Sequence, residues 1–302
     1  MREKLPQSIG RFYPFEPRYV KLRDGRNMHY ISEGSGETVL FLHGYPTWSF
    51  FFRELIVRLR PNFKCMAIDH IGHGLSDKPW GYKYEIKTHI ENAMEFVEMM
   101  KFKKFHIVAQ DFGVAIALAM AEFWPERISS MSLLNSAIFI TPKVPPIVLM
   151  FKLPLLGFCM SIFFNLFTRI CLHLGIFSDI DDDILNGYLW PYRKLAARSA
   201  LSSEANDIPW LQDHRSLDTL DSICEKAFLL ANKKIKFFWA DDDFRYDVSV
   251  LKYWGKILPN ATVKHYQGGH LLLEDSPEAI GDIRLFIHGA QDISKDLFKR
   301  TP

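Results

Sequence analysis

One run of the chain constrains its fold more than any other: Phe105-His106-Ile107-Val108-Ala109, then Gln110-Asp111-Phe112-Gly113, then a helical pattern from Val114 to Phe123. An apolar, β-favouring run that passes at once through a small-flanked turn into a helical pattern predicts a strand, a sharp turn and a helix in direct succession. Ala109 and Gly113 suit that turn, because bulkier branches there would collide with the neighbouring strand and helix. Shorter apolar runs at Thr38 to Leu42, Lys64 to Ile68, Ile128 to Leu134, Ile235 to Trp239 and Thr262 to Tyr266 alternate with longer helical patterns. That alternation predicts a mainly parallel, doubly wound sheet with helices on both faces. An antiparallel pair, Tyr19 to Leu22 and Asn27 to Glu33 around Asp24-Gly25, is expected to open it. Ligands of such sheets bind beyond the carboxyl ends of the strands, where His43, Asp111, Asp243 and His270 all fall.

The strand rhythm stops after Ser136 and resumes only after about Ala205. A stretch this long is not a simple loop, so residues 137–205 are read as a helical cap inserted between two core segments, 1–136 and 206–302. One large α/β domain with an insertion accommodates the 302 residues. Within the cap, Leu153 to Thr168 carries no charge. It falls short of the roughly 18–20 residues a membrane span needs and contains Pro154 and Gly157. It reads as a greasy cover over a pocket, and a peripheral membrane contact through it is the sharper expectation.

Net charge is +2, with Lys and Arg scattered, so there is no electrostatic footprint for nucleic acid and a hydrophobic small molecule is the expected partner. Cys65, Cys159, Cys171 and Cys224 lack any C-x-x-C pairing and sit among apolar neighbours, which predicts buried free thiols, a reducing compartment and no metal. Residues 1–19 contain no apolar signal core, so a cytoplasmic protein without a cofactor is expected.

The turn at Asp111 has the form of the G-x-S-x-G nucleophile elbow with aspartate in the serine position. A carboxylate is ionised at neutral pH and attacks an electrophilic sp³ carbon without a base, leaving an ester. Water must then attack the Asp111 carboxyl carbon, a step that needs a general base and donors for the oxyanion. His270, flanked by Gly268-Gly269 before the last helix, fits the base, and Asp243 is the best placed of three successive aspartates to hold its imidazole. The main-chain N–H groups of Tyr45 and Phe112 are the expected oxyanion hole. His43 is read as a support of that loop, while His70 and His73 straddle a glycine turn and do not share one helix face as metal ligands would.

His43 to Phe50, Asp69 to Pro79, Gln110 to Gly113 and Gly269-His270 together resemble the haloalkane dehalogenase family of the α/β-hydrolase fold. The cap segment Tyr188-Leu189-Trp190-Pro191-Tyr192 is similar to that family's Y-x-x-P-aromatic pattern and places Tyr188, Tyr192 and Trp48 in the substrate pocket. The absence of Glu after Asn135 points to the third subfamily, which includes β-lactone decarboxylases; Tyr13 to Pro17 and Asp207-Ile208-Pro209 are similar to that branch too. Two positions depart from the dehalogenase pattern. The residues whose side-chain N–H groups hold the departing halide in the family are here Tyr45 and Phe112. Weakened halide turnover is therefore expected, by about 1.5–3 kcal/mol for each charge-assisted bond lost. An aromatic in H-G-x-P is common in epoxide hydrolases, whose cap tyrosines protonate the epoxide, so Tyr188 and Tyr192 define that alternative. A ligand-binding protein without catalysis on the same scaffold is the alternative of another class.

Overall fold

The computed structural model describes residues 4–140, 145–209 and 214–289. Eight strands form one sheet: β1 (Arg18–Lys21), β2 (Asn27–Glu33), β3 (Glu37–Leu42), β4 (Phe63–Ile68), β5 (Phe105–Gln110), β6 (Ile128–Leu134), β7 (Ile235–Ala240) and β8 (Thr262–Tyr266). Their order is β1-β2-β4-β3-β5-β6-β7-β8. β1 and β2 are antiparallel, β2 is antiparallel to β4, and β3 to β8 run parallel with β4. Every residue of β5 and β7 is buried, as strands covered on both faces must be, whereas edge strand β1 buries only Val20. This is the architecture of the α/β-hydrolase fold expected from the sequence.

Alternation along the central strands feeds two cores. Leu40 and Leu42 of β3 join Ile107, Ile116 and Trp254 on one face, while Val39 and Phe41 join Phe50, Phe52 and Ile283 on the other. Because β3 pairs with both β4 and β5, strand order reverses there. The register Leu42↔Ala109 sets the ends of β3 and β5 side by side, so His43-Gly44-Tyr45 leaves the sheet beside Gln110-Asp111. That crevice is the topological switch point at which such sheets bind ligands.

Between β6 and β7 the chain is helical, with segments at Pro146–Met150, Pro154–Ile162, Leu166–Gly175, Asp182–Leu189, Ser199–Asp207 and Leu217–Lys226. Several of these share a small apolar cluster of their own, Phe151, Met160, Phe167, Cys171 and Ala205. The last of them packs on the elbow helix Phe112–Phe123. Leu155, Phe163 and Phe164 are exposed on the greasy stretch. No single helix among the described residues is long and apolar enough to cross a membrane; Leu155–Ile162 and Leu166–Gly175 pass on composition only as a pair bent by 78°. The cysteine expectation needs one correction. All four thiols are free, but Cys159 and Cys224 are only half-buried, Cys224 lying on a helix that packs against the edge of the main core.

Candidate active site

Asp111 sits between β5 and its helix with φ +50° and ψ −123°, a conformation a non-glycine residue adopts only under strain. The surroundings enforce it. The Asp111 N–H reaches the carbonyl of Asn135 at 3.1 Å, and the Ser136 hydroxyl donates to the Asp111 carbonyl at 2.6 Å. Asn135 in turn bonds both main-chain groups of Ala240, tying the elbow to the end of β7. A methyl group on Gly113 would stand 2.2 Å from the Leu42 carbonyl oxygen, and one on Gly44 would stand 2.4 Å from Asp111 Cβ. Both glycines are therefore required by close backbone approach.

The Tyr45 N–H donates to Asp111 Oδ2 at 3.1 Å. Phe112 is the first residue of the helix, where an N–H has no intrahelical acceptor. His43 supports this loop. The His70 N–H donates to His43 Nε2 at 3.0 Å, which forces the proton onto Nδ1, and Nδ1 donates to the Gly44 carbonyl at 2.9 Å. Burial holds the His43 imidazole below its ordinary pKa, consistent with this neutral tautomer.

His270 Nδ1 lies 2.7 Å from Asp243 Oδ2, and its Nε2 lies 4.0 Å from Asp111 Oδ2. Gln110 fixes the tautomer. Its Oε1 accepts the Gly44 N–H at 3.2 Å, so its amide nitrogen faces His270 Nε2 at 2.9 Å. Nε2 must then carry the lone pair, and Nδ1–H points at Asp243. In this resting arrangement the lone pair is held by the Gln110 amide, 4.0 Å from the Asp111 carboxyl group, and with the Asp243 carboxylate behind the ring Nε2 can act as a general base once a water displaces that amide.

Two side chains missed in the sequence also reach Asp111. Arg245 Nη1 stands 3.3 Å from Oδ2, and the Tyr246 hydroxyl donates to Oδ1 at 2.8 Å. Asp243 Oδ1 accepts the N–H groups of both, at 2.7 and 3.2 Å, in a local turn of the kind aspartate favours. That turn swings the two side chains back toward the elbow, and its Asp-x-Arg-Tyr spacing after β7 is the signal that could have revealed them. Burial raises the Asp111 carboxyl, but Arg245, His270 and the bonds from Tyr246 and Tyr45 outweigh it, leaving the group below the ordinary carboxylate range.

The cavity beside Asp111 is walled by Tyr45, Ile86, Phe112, Ala115 and Leu220, with Arg245, Tyr246, Asp207 and Ser216 as its polar lining. Trp48, Tyr188 and Tyr192 do not line it, which corrects their assignment to the pocket. Trp48 is fully buried and its indole donates to the Gly187 carbonyl. The Tyr188 hydroxyl donates to Glu274, which also forms a two-pronged ion pair with Arg53 at 2.6 and 2.7 Å. The Tyr192 hydroxyl pairs with His73 Nδ1 at 2.6 Å, while His73 Nε2 meets Glu204 at 2.6 Å. Burial pushes Glu204 well up and His73 well down, which disfavours full charge separation between them. These three aromatics satisfied their polar atoms with remote partners, a choice their helical spacing did not disclose. The Tyr45 ring lies stacked between His73, at 5.0 Å, and Phe112, at 4.0 Å.

The sheet order, the strained elbow and the acid–histidine pair beyond β7 and β8 together define an α/β hydrolase, and a model of the alpha/beta hydrolase fold matches residues 37–152. Over 283 residues the chain is 32% identical to the cis-3-alkyl-4-alkyloxetan-2-one decarboxylase of Shewanella oneidensis, covering 91% of this chain and 89% of that protein. Haloalkane dehalogenase 2 of Mycobacterium bovis is 40% identical over 124 residues, 41% of this chain and 43% of its own. In shape the chain is similar to haloalkane dehalogenase DatA from Agrobacterium tumefaciens C58, with a TM-score of 0.81 at 21% identity over 92% of this chain and 97% of that one. The chain belongs to the haloalkane dehalogenase-like family of α/β-hydrolase enzymes, alongside the oxetanone decarboxylases.

Proposed function

We propose that this enzyme acts on a hydrophobic small molecule bearing an electrophilic carbon, a β-lactone, haloalkane or similar compound, through a covalent ester on Asp111. The observation that carries this reading is the Asp111 carboxylate itself, ionised on a strained elbow, with the Tyr45 N–H on one oxygen. Attack by that carboxylate needs no base, and at 4.0 Å His270 is not bonded to it. The geometry instead suits a later step. Water approaching the ester carbon gives its proton to His270 Nε2, Asp243 stabilises the resulting imidazolium through Nδ1, and the Tyr45 and Phe112 N–H groups receive the oxyanion. The alkoxide then leaves with the proton from His270. The oxetanone named in the Shewanella relative is a β-lactone, which agrees with this substrate class.

The epoxide hydrolase alternative loses the two cap acids expected for it, because the Tyr188 and Tyr192 hydroxyls are committed to Glu274 and His73. The test is to replace His270 with Gln, incubate with 1-bromohexane, styrene oxide and a dialkyl β-lactone, and weigh the Asp111 peptide. An ester adduct from the lactone or the bromide is expected. No adduct from any of the three, with ligand binding retained, leaves only the non-catalytic scaffold.

The same reading takes a bilayer surface as the source of the substrate. Leu155, Phe163 and Phe164 project from an uncharged stretch that follows the helix carrying Val148, which lines a cavity shared with Arg245 and Tyr246. Sedimentation with phosphatidylcholine vesicles should fall when Phe163 and Phe164 are both replaced by Ser, and equal sedimentation of the two proteins would refute it.

A further inference from the structure

The Asp111 ester mechanism leaves a buried cation unexplained. The Arg245 side chain is 7% exposed and its ion pair is with the nucleophile. A guanidinium against an attacking carboxylate slows attack, since it stabilises the very charge that must be shared with carbon. When Asp111 becomes an ester, that charge disappears, and only the weaker influence of the Asp243 carboxylate is left to offset the buried cation, which is unfavourable. The arrangement becomes favourable if the leaving group delivers a replacement charge to the same place.

Resting on the Asp111 ester reading, we infer that Arg245 and Tyr246 form the leaving-group site and that it is built for a carboxylate, which makes a strained cyclic ester the preferred substrate class. The two donors engage the two different oxygens of one carboxylate in the resting enzyme, Nη1 on Oδ2 and the phenol on Oδ1. Both are fixed by the turn onto Asp243 Oδ1, so their spacing persists after Asp111 has reacted. A planar guanidinium beside a hydroxyl matches a two-oxygen anion, whereas a halide is a single atom. An alkoxide would need a proton, and burial holds the Tyr246 phenol well above its ordinary pKa. Of the remaining walls, Ile86, Ala115 and Leu220 suit alkyl groups, while the Asp207 carboxyl in the same lining is occupied by the Ser216 hydroxyl, Arg215 and the Ile86 N–H.

The step balances. Asp111 Oδ1 forms a bond to the sp³ ring carbon that bears the ring oxygen, and that carbon–oxygen bond breaks with its electron pair on oxygen. The ring's acyl group becomes a carboxylate tethered to the new ester, net charge is unchanged, and Arg245 passes from one carboxylate to the other. Hydrolysis of the ester then yields a 3-hydroxy acid. Alternatively, the carbon–carbon electrons of the tethered carboxylate form the alkene, release CO₂ and expel Asp111 as carboxylate.

Two measurements test the clamp. In Asp111→Asn, Arg245 is freed of its partner, and titration with hexanoate should show binding that Asp111→Asn/Arg245→Met weakens at least tenfold, while hexan-1-ol binds both alike. In the His270→Gln trap, adding Arg245→Met should slow the summed formation of adduct and alkene from a dialkyl β-lactone by a hundredfold or more and adduct formation from 1-bromohexane by less than threefold. Should the methionine variants fail to fold, Tyr246→Phe carries the same comparison with about a tenfold selective loss. Equal slowing of both substrates, or hexanoate affinity independent of Arg245, overturns the inference. Absence of adduct, alkene and 3-hydroxy acid alike in His270→Gln alone refutes the ester reading instead, and the hexanoate titration still decides whether the carboxylate clamp exists.

Discussion

Replacing Asp243 with Asn tests the relay because the network around His270 leaves the imidazole no freedom to adapt. In the native site the Gly44 N–H occupies Gln110 Oε1, so the Gln110 amide must donate to His270 Nε2 and the ring proton must sit on Nδ1 against Asp243. An asparagine already accepts the N–H groups of Arg245 and Tyr246 on its carbonyl oxygen and turns its NH₂ toward Nδ1. Two donors then face the ring from opposite sides. Either Nδ1 accepts and Nε2–H collides with the Gln110 amide, or the Asn–His bond is lost. In both cases the lone pair needed at Nε2 is misplaced, and a general base contributes about 10²–10⁴ in rate, or roughly 2.7–5.4 kcal/mol of barrier. Attack by Asp111 does not use that lone pair, since the two groups are 4.0 Å apart. Rapid-quench mass spectrometry should therefore show ester formation within about threefold of wild type and turnover down by 10²–10⁴, with ester accumulating. Equal loss in both steps would refute this division of labour.

Asp111 is held below the ordinary carboxylate range by Arg245, His270, Tyr246 and the Tyr45 N–H against the opposing effect of burial. A depressed folded-state pKa contributes stability above the unfolded value of about 3.9 that is lost as pH falls through the folded value. The rapid-quench burst of ester formation in the wild-type enzyme should thus stay level from pH 7 to about pH 4, and a rate that halves near pH 6 would contradict it. Gly113→Ala forces a methyl against the Leu42 carbonyl, so an unfolding free energy from urea titration lowered by at least the ~1–3 kcal/mol of overpacking is expected. Glu274→Gln leaves Arg53 buried without its counter-charge and should cost about 3–5 kcal/mol in urea unfolding, while ester formation per folded molecule is unchanged.

Much of the fold was legible because burial on both sheet faces writes itself into the chain as mostly apolar runs, interrupted only by residues such as His106 and Lys236. β3, β5 and β7 were each marked by such a run, and the antiparallel opening pair by its Asp-Gly turn. Asp111, Asp243 and His270 were legible for a related reason. Each follows a strand end, and parallel strands deliver their carboxyl ends to one side of the sheet. Arg245 and Tyr246 were not, since their direction depends on a two-residue turn onto Asp243 Oδ1. Trp48, Tyr188 and Tyr192 were assigned by pattern to a pocket they do not line, because an aromatic's spacing says that it is buried but not against whom.

The sequence by itself determined the sheet, the elbow and the aspartate at its apex, all of which follow from local periodicity, small flanks and chain order. Only the tertiary structure decided what surrounds that aspartate. A guanidinium and a phenol stand on its two oxygens, an amide pins the tautomer of the base, and the cap tyrosines are bound to remote acids and imidazoles. Those pairings join residues up to 160 positions apart, and they are settled by which buried polar groups can satisfy one another once the elements have packed.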